Sequence, residues 1–269
     1  MDFSEVKLVV TDMDGTLLNA KSEVSERFFN QFKELKKRNI HFVAASGRQY
    51  QSILHKLDSI KNDISIIAEN GGLLQHNNKT NILLKLTSED VLKSIEKIRQ
   101  IEDCYIVLCG RKAAYIETKD SQFISKFSEY YPAYKVVDDL TKVTADNFLK
   151  IAVYHFESSE IKVFPHIPEI INEFQVTVSG QNWLDISHKN ANKGYALNML
   201  QKQLGIEKKE TMVFGDYNND LQMLELAHFS YAMQNAHPNV KKIANFETKS
   251  NSEQGVELVL EALINSKSV

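Results

Sequence analysis

The run Val6-Lys7-Leu8-Val9-Val10-Thr11-Asp12-Met13-Asp14-Gly15-Thr16-Leu17-Leu18 decides how the rest of the chain is read. Val6 to Thr11 is rich in valine and too short for a helix, so it reads as a buried strand ending at Asp12. Two carboxylates two residues apart then leave the strand, and Gly15 permits a sharp turn. Taken alone, Asp-x-Asp also describes an Asx-type turn with solvated acids.

Working outward, Ser25 caps a helix to about Asn39 with Phe28, Phe29, Phe32 and Leu35 on one face. The basic run Lys36-Lys37-Arg38 reads as its solvated end. A strand Ile40 to Ala45 stops at Ser46-Gly47-Arg48, a helix runs to about Leu57, and Ile64 to Ala68 is a third strand. This rhythm predicts an α/β fold: a doubly wound, mainly parallel, Rossmann-like sheet with helices on both faces. Asn70-Gly71-Gly72 is a turn, and Leu73 to Gln75 pairs with Ile82 to Lys85 through Asn77-Asn78-Lys79-Thr80 as a hairpin.

From Thr87 the rhythm changes. A helix to about Gln100 precedes strands at Cys104 to Cys109 and Ala113 to Glu117, then a helix around Asp120 to Tyr130. Strand-like runs recur at Lys135 to Val137, Phe148 to Phe156, Val176 to Ser179 and Trp183 to Ser187, which predicts an antiparallel α+β unit. After Asn192 the first rhythm returns with a helix Lys193 to Leu204 and a strand Thr211 to Gly215. A helix Asn219 to Leu226, a strand Phe229 to Met233 and two closing helices complete it. The expected organisation is a discontinuous core of residues 1–86 and 187–269, interrupted by an inserted domain of residues 87–186.

Composition sets the class. With 43% hydrophobic and 25% charged residues and Pro 4, the 269-residue chain is an ordinary globular protein and not a disordered one. Lys plus Arg number 32 against 35 for Asp plus Glu, a net charge of -3, so no global positive field is present to hold a nucleic acid. No run of 18 apolar residues and no secretory pattern at Met1 to Val10 appears, so no membrane role is expected. Cys104 and Cys109 lie five apart in one strand and face opposite ways, which excludes a disulfide within it. They read as packing in a reducing cytoplasm.

In a doubly wound sheet, functional groups gather beyond the carboxyl ends of the strands. Ser46-Gly47 offers a hydroxyl and backbone N–H groups to an anion at a helix start, or simply an N-cap. Lys193-Gly194 opens another helix, where an ammonium opposes the dipole unless an anion compensates it; an exposed lysine is the plainer alternative. Gly215-Asp216-Tyr217-Asn218-Asn219-Asp220 supplies two acids and two amides suited to a hard cation, or a polar helix cap.

These residues, in this order, resemble the haloacid dehalogenase-like phosphohydrolases: Asp-x-Asp-Gly-Thr at 12 to 16, Ser46-Gly47, Lys193, and Gly-Asp-x-x-Asn-Asp at 215 to 220. Glu69-Asn70-Gly71, Lys193-Gly194, Asn235-Ala236 and Gly255-Val256 resemble the Cof-type branch, which carries a large α/β cap between its second and third motifs. The resemblance implies a phosphatase in which Asp12 is the nucleophile, forming an aspartyl phosphate, and Asp14 is acid and then base. It implies Mg2+ on Asp12, Asp216 and the backbone carbonyl of Asp14, with Asp220 orienting these groups. Ser46, Gly47, Lys193 and Asn219 would hold the phosphate, and Thr16 would position Asp14.

The expected substrate is a small phosphorylated metabolite, such as a sugar phosphate, selected by the cap. Arg48 is the first candidate to meet the leaving group, followed by Trp183, Asp185, His188 and Tyr217; each also reads as packing, capping or surface charge. Phosphotransfer to a second acceptor, as in phosphomutases, and a catalytically silent phosphometabolite-binding regulator are the alternatives. The oligomeric state is left open by the sequence.

Overall fold

The computed structural model describes residues 2–267. Strand β1 (Leu8–Asp12) is buried along its whole length, as its valine-rich composition requires. Ser25 caps α1 (Glu26–Lys37) by accepting from the Phe28 N–H, and the helix buries Phe28, Phe32 and Leu35. Its basic end is solvated and paired, Lys37 and Arg38 to Glu34 and Lys36 to Asp63. There follow β2 (His41–Ala45), α2 (Tyr50–Lys56) and β3 (Ser65–Ala68), then a hairpin of β4 (Leu73–His76) and β5 (Lys79–Ile82). The hairpin turn is tighter than the sequence reading has it: Lys79 pairs with His76 and Thr80 with Gln75, leaving Asn77-Asn78 alone. Both asparagines have positive φ, 50° and 59°, the left-handed pair that a two-residue turn needs to match the strand twist.

The intervening segment begins with α3 (Ser88–Ile98), whose Thr87 and Asp90 form a reciprocal capping box. Next come β6 (Cys104–Gly110), β7 (Ala114–Ile116), α4 (Ser121–Phe127), β8 (Tyr134–Val136) and β9 (Phe148–His155). Two short helices, α5 (Ser159–Lys162) and α6 (Pro168–Glu173), precede β10 (Gln175–Val178) and β11 (Trp183–Ser187). Neither short helix spans enough turns to show a helical period, which is why the sequence reading passes over them. The strands form a second sheet in the order β10-β11-β9-β6-β7-β8, antiparallel except for β7 beside β8. Cys104 packs on one face with Ile95 and Ile151, and Cys109 on the other with Phe123 and Tyr154; both thiols are free.

The chain then returns through α7 (Lys193–Leu204), β12 (Thr211–Gly215), α8 (Leu221–Leu224), β13 (Phe229–Met233), α9 (Pro238–Ile243), β14 (Phe246–Thr248) and α10 (Gly255–Ser266). Two readings are corrected here. The helix expected over Asn219 to Leu226 is a tight turn at Asn218–Asp220 followed by the single-turn α8, because Asp220 bonds backward to backbone N–H groups instead of continuing the helix. Between the closing helices lies β14, an edge strand whose three residues carry no alternation to read.

The larger sheet runs β14-β13-β12-β1-β2-β3-β4-β5, parallel except at its hairpin edge. Its middle strand β1 pairs with β2 on one side and β12 on the other, so the strand order reverses at β1. A crevice opens at such a reversal, outside the carboxyl ends of the strands. Asp12 pairs with Ala45 and Thr11 with Phe214, which brings Asp12, Ser46 and Asp216 to one edge of the sheet. Among the described residues, no helix is long and apolar enough to cross a membrane.

Candidate functional site

Three strand ends meet at this edge. After Asp12 the chain turns through Gly15 at φ 74°, and a Cβ there would lie 2.2 Å from Asp216 Oδ2, so only glycine lets the two loops close on each other. Thr16 Oγ1 donates to Asp216 Oδ1 at 3.0 Å. This corrects the expectation that Thr16 positions Asp14: its hydroxyl holds the acid of the neighbouring strand.

Lys193, at the start of α7, is fully buried and not exposed. Its Nζ donates to Asp12 Oδ1 and, at 2.6 Å, to Asp220 Oδ1. The anions that the helix start required are therefore these two carboxylates. Asp220 Oδ2 in turn accepts from the N–H groups of Asp216 and Tyr217 at 2.9 and 3.1 Å, which fixes the loop after β12. Burial is the largest influence on Asp12 and lifts its carboxyl to about 7 against the pull of Lys193; Asp220 and Asp14 add to the rise. Burial, with Asp12 and Asp220 nearby, also pushes Asp216 well up. For Lys193, burial alone would favour the neutral amine, but the two carboxylates outweigh it and hold the ammonium charged.

Asp12, Asp216 and Asp220 each offer a carboxylate oxygen, all within 4.8 Å of one another. Two buried acids and the half-buried Asp216 against one lysine leave negative charge uncompensated, and hard oxygen donors fit Mg2+. Asp220 is already engaged by Lys193 and two N–H groups, so Asp12 and Asp216 are the carboxylates left to face a cation.

The loop after β2 provides the other wall. Ser46 Oγ accepts from the Arg48 N–H at 3.1 Å, and the Ser46 carbonyl accepts from Asn70 N at 3.1 Å. Arg48 is 2% exposed, so the surface-charge reading fails. Its guanidinium grips Asp14 with both arms, Nε to Oδ2 at 2.7 Å and Nη2 to Oδ1 at 2.6 Å. It also reaches the inserted unit through the Glu129 carbonyl at 2.9 Å and lies 4.4 Å from the Tyr130 ring centre. Asn219 Nδ2 donates to Asn70 Oδ1 at 3.1 Å.

The second sheet roofs a cavity of about 480 Å³ over these residues. Asp12, Asp14, Ser46, Gly47, Asp216 and Asn219 line its floor, and Arg48, Trp183, Asp185 and Tyr217 also reach it. His188 does not line it; its Nδ1 accepts from the Asn190 N–H at 3.3 Å, a local turn.

Sequence reasoning missed Lys150 of β9. This lysine is 1% exposed and its Nζ donates to the Gly47 carbonyl at 2.6 Å, with Asp185 Oδ1 at 3.0 Å and Glu69 Oε2 at 3.3 Å. Asn70 Nδ2 donates to Asp185 Oδ2 at 2.5 Å, closing a network between the two sheets. A lysine inside the apolar run Phe148 to His155 was the available signal. Tyr130, Tyr131 and Tyr154, also on the cavity wall, were not singled out by the sequence reading.

The sequence profile of haloacid dehalogenase-like hydrolases matches residues 9–260. The chain is similar to the 5-amino-6-(5-phospho-D-ribitylamino)uracil phosphatase YbjI of Escherichia coli (strain K12), 32% identical over 96% of each chain. Among solved structures it resembles SMU.1108c of Streptococcus mutans UA159, with 31% identity, a TM-score of 0.90 and coverage of 97% of this chain and 99% of that one. It also resembles TM0651 of Thermotoga maritima, with 29% identity, a TM-score of 0.79 and coverage of 96% and 97%. The ordered motifs, the two-sheet architecture and these likenesses agree: the chain belongs to the haloacid dehalogenase-like hydrolases and, within them, to the phosphatases.

Proposed function

We propose that the chain is a Mg2+-dependent phosphatase of the cytoplasm that hydrolyses small organic phosphate monoesters, sugar phosphates or similar metabolites, through an aspartyl phosphate. The observation that carries this reading is the convergence of Asp12 and Asp216 on the floor of the roofed cavity, with the buried Lys193 and Asp220 directly behind them. Asp12 and Asp216 would hold Mg2+, which when bound offsets the repulsion between an anionic nucleophile and a phosphate dianion.

In the first step an Asp12 oxygen attacks phosphorus in line, the bond from phosphorus to the leaving oxygen breaks, and a proton from Asp14 goes to that oxygen. In the second, Asp14 takes a proton from water, the water oxygen attacks phosphorus, and the acyl phosphate breaks to restore Asp12 and release phosphate. Lys193 keeps Asp12 oriented and supplies positive charge beside the transferring group. Ser46, the Gly47 N–H and Asn219 would seat the other phosphate oxygens, holding the ester for in-line attack. The uracil-bearing ester named for the Escherichia coli relative is a first compound to assay.

The test is phosphate release from an aryl phosphate with Mg2+ and with EDTA, for the parent protein and for Asp12→Asn. Activity that needs Mg2+ and falls about 10⁴-fold or more in Asp12→Asn is expected. Most of the Mg2+-dependent activity surviving in the variant overturns the nucleophile assignment. A phosphomutase or silent regulator would release no phosphate from any ester.

A further inference from the structure

The turn Glu69-Asn70-Gly71 sits behind Ser46 and Gly47 and takes no part in the chemistry above. All three residues have positive φ, 51°, 50° and 93°, so the chain bends sharply back from the end of β3. The bend is wedged between two elements of the site. The Asn70 N–H donates to the Ser46 carbonyl at 3.1 Å, and a Cβ on Gly71 would lie 2.1 Å from the carbonyl oxygen of Asn192, next to Lys193. Asn70 is 3% exposed, and its amide lies against Gly47, where a Cβ would stand 3.0 Å from Asn70 Oδ1.

The hydrogen bonds of the Asn70 side chain have a direction. Asp185 of the second sheet is salt-bridged to Lys150 at 3.0 Å, and its carboxylate oxygens accept. Asn70 therefore turns its NH2 to Asp185, 2.5 Å from Oδ2, and its carbonyl oxygen away from it. That oxygen also accepts, so Asn219 presents its own NH2, with Nδ2 3.1 Å away. One N–H of Asn219 is used there. The second has no protein partner among the described residues, and Asn219 lines the cavity. Because Asn70 Oδ1 lies beside Gly47, the NH2 that it anchors is drawn to the Ser46-Gly47 side of the floor. Reversing the chain of amides would bring the Asn219 carbonyl oxygen to that position, where it would repel a phosphate oxygen.

We propose that Asn70 is a positioning residue of the phosphate seat: the Asp185 carboxylate, from the inserted unit, sets the direction of an Asp185–Asn70–Asn219 hydrogen-bond chain that ends with an Asn219 N–H offered to the phosphate. The proposal rests on the phosphatase reading and deepens it, giving Asp185 a part in seating the phosphate.

Inorganic phosphate is the probe, its binding to the Mg2+-loaded protein measured by calorimetry and by competitive inhibition of aryl phosphate hydrolysis. In Asp185→Asn the new amide turns its oxygen to the Lys150 ammonium and its NH2 to Asn70, so the whole chain reverses. Phosphate binding is expected to weaken about 10-fold, although every residue of the seat is intact. Adding Asn70→Asp restores an acceptor toward both neighbours, and binding should return to within about 3-fold of the parent. Asn70→Gly takes the positive φ without steric cost, removes the amide and should also weaken binding about 10-fold. Asn219→Ala should do the same. On top of Asn219→Ala, neither Asp185→Asn nor Asn70→Gly should add to the loss, whereas a general disturbance of the floor would add to it.

Losses that multiply in the Asn219→Ala background overturn the proposal, as does parent-like binding in Asp185→Asn or a failure of Asn70→Asp to restore it. If Asp185→Asn does not fold, the cycle of Asn70→Gly with Asn219→Ala decides alone. A parent protein that neither binds inorganic phosphate nor hydrolyses any ester brings down the phosphatase reading, and this proposal with it. A parent that does either leaves the decision to the cycle, measured on phosphate binding or on KM.

Discussion

Lys150 Nζ donates to the carbonyl oxygen of Gly47 at 2.6 Å, joining the middle of the second sheet to the loop after β2 of the first. The same peptide chain carries Ser46 and the Gly47 N–H, which are assigned to the phosphate. A buried ammonium from the roof of the cavity therefore fixes the orientation of a peptide on its floor. Burial disfavours the charged form of Lys150, and Asp185 and Glu69 more than restore it.

Replacing Lys150 by methionine keeps most of the side-chain volume and removes the charge. Glu69 and Asp185 are then buried without their cation, and a loss of about 3–5 kcal/mol in unfolding free energy is expected. Adding Glu69→Gln to Lys150→Met should return part of that loss, since it removes one orphaned carboxylate. KM for an aryl phosphate should rise about 10- to 100-fold in Lys150→Met, the scale of a lost charged hydrogen bond to the phosphate loop. Urea titration and steady-state kinetics check both; an unchanged KM would detach Lys150 from phosphate positioning.

Glu69 is 1% exposed, and burial, its largest influence, lifts its carboxyl from 4.5 to about 7, with Asp185 adding to the rise and Lys150 opposing it. Its Oε2 lies 3.3 Å from Lys150 without hydrogen-bond geometry. Between these two pH values the folded protein holds a proton that the unfolded chain has released, so this group's contribution to stability falls as pH rises through the window. Glu69→Gln removes the contribution. The stability of the parent minus that of the variant should decline from about pH 4.5 to about pH 7 and level off outside that range. Parallel curves from urea titrations across this range would sink the prediction.

The larger sheet and the edge that carries the candidate site were legible because each key residue sits where an apolar run ends. Asp12, Ser46 and Asp216 announce themselves by position, and the parallel rhythm places them together. What was hidden depends on contacts between segments far apart in the chain. Thr16 could be assigned to Asp14 by proximity in sequence, but the crossing of the β1 and β12 loops gives its hydroxyl to Asp216. Lys150 stands out as a charge inside an apolar run, but its partner, the Gly47 carbonyl, is visible only once the second sheet is placed over the first. Arg48 follows Ser46-Gly47 and was named for that reason, yet its partners Asp14 and Glu129 come from opposite sides of the cavity.

A cation between Asp12 and Asp216 should be visible as stability. The uncompensated carboxylates repel one another in the metal-free protein, and binding to the folded state alone stabilises it. Mg2+ at about 100 times its dissociation constant is expected to add about 2.7 kcal/mol to unfolding, and an inert salt at equal ionic strength much less. Asp216→Asn should raise the stability of the metal-free protein while abolishing the Mg2+ increment. Thermal unfolding with Mg2+, with EDTA and with matched NaCl measures this, and a full Mg2+ increment in Asp216→Asn would remove that residue from the metal site.

The two-armed pairing of Arg48 with Asp14 bears on proton transfer. An arginine fork fixes both oxygens of a carboxylate in one plane, so Asp14 is held in a single orientation, and that orientation is tied to the inserted unit through Glu129. If Asp14 protonates the leaving oxygen, its loss matters most when the leaving group is a poor one. Asp14→Asn should cost about 10²- to 10⁴-fold in kcat on alkyl phosphates and far less on 4-nitrophenyl phosphate, whose phenolate departs without a proton. Arg48→Lys keeps the charge but not the fork, and should reproduce the same bias toward the aryl ester at smaller amplitude. Single-turnover rates on a matched alkyl and aryl pair separate this step from product release. Equal losses on both esters in Asp14→Asn would show that the residue acts in positioning alone, and an unbiased Arg48→Lys would show that the fork does not set its orientation.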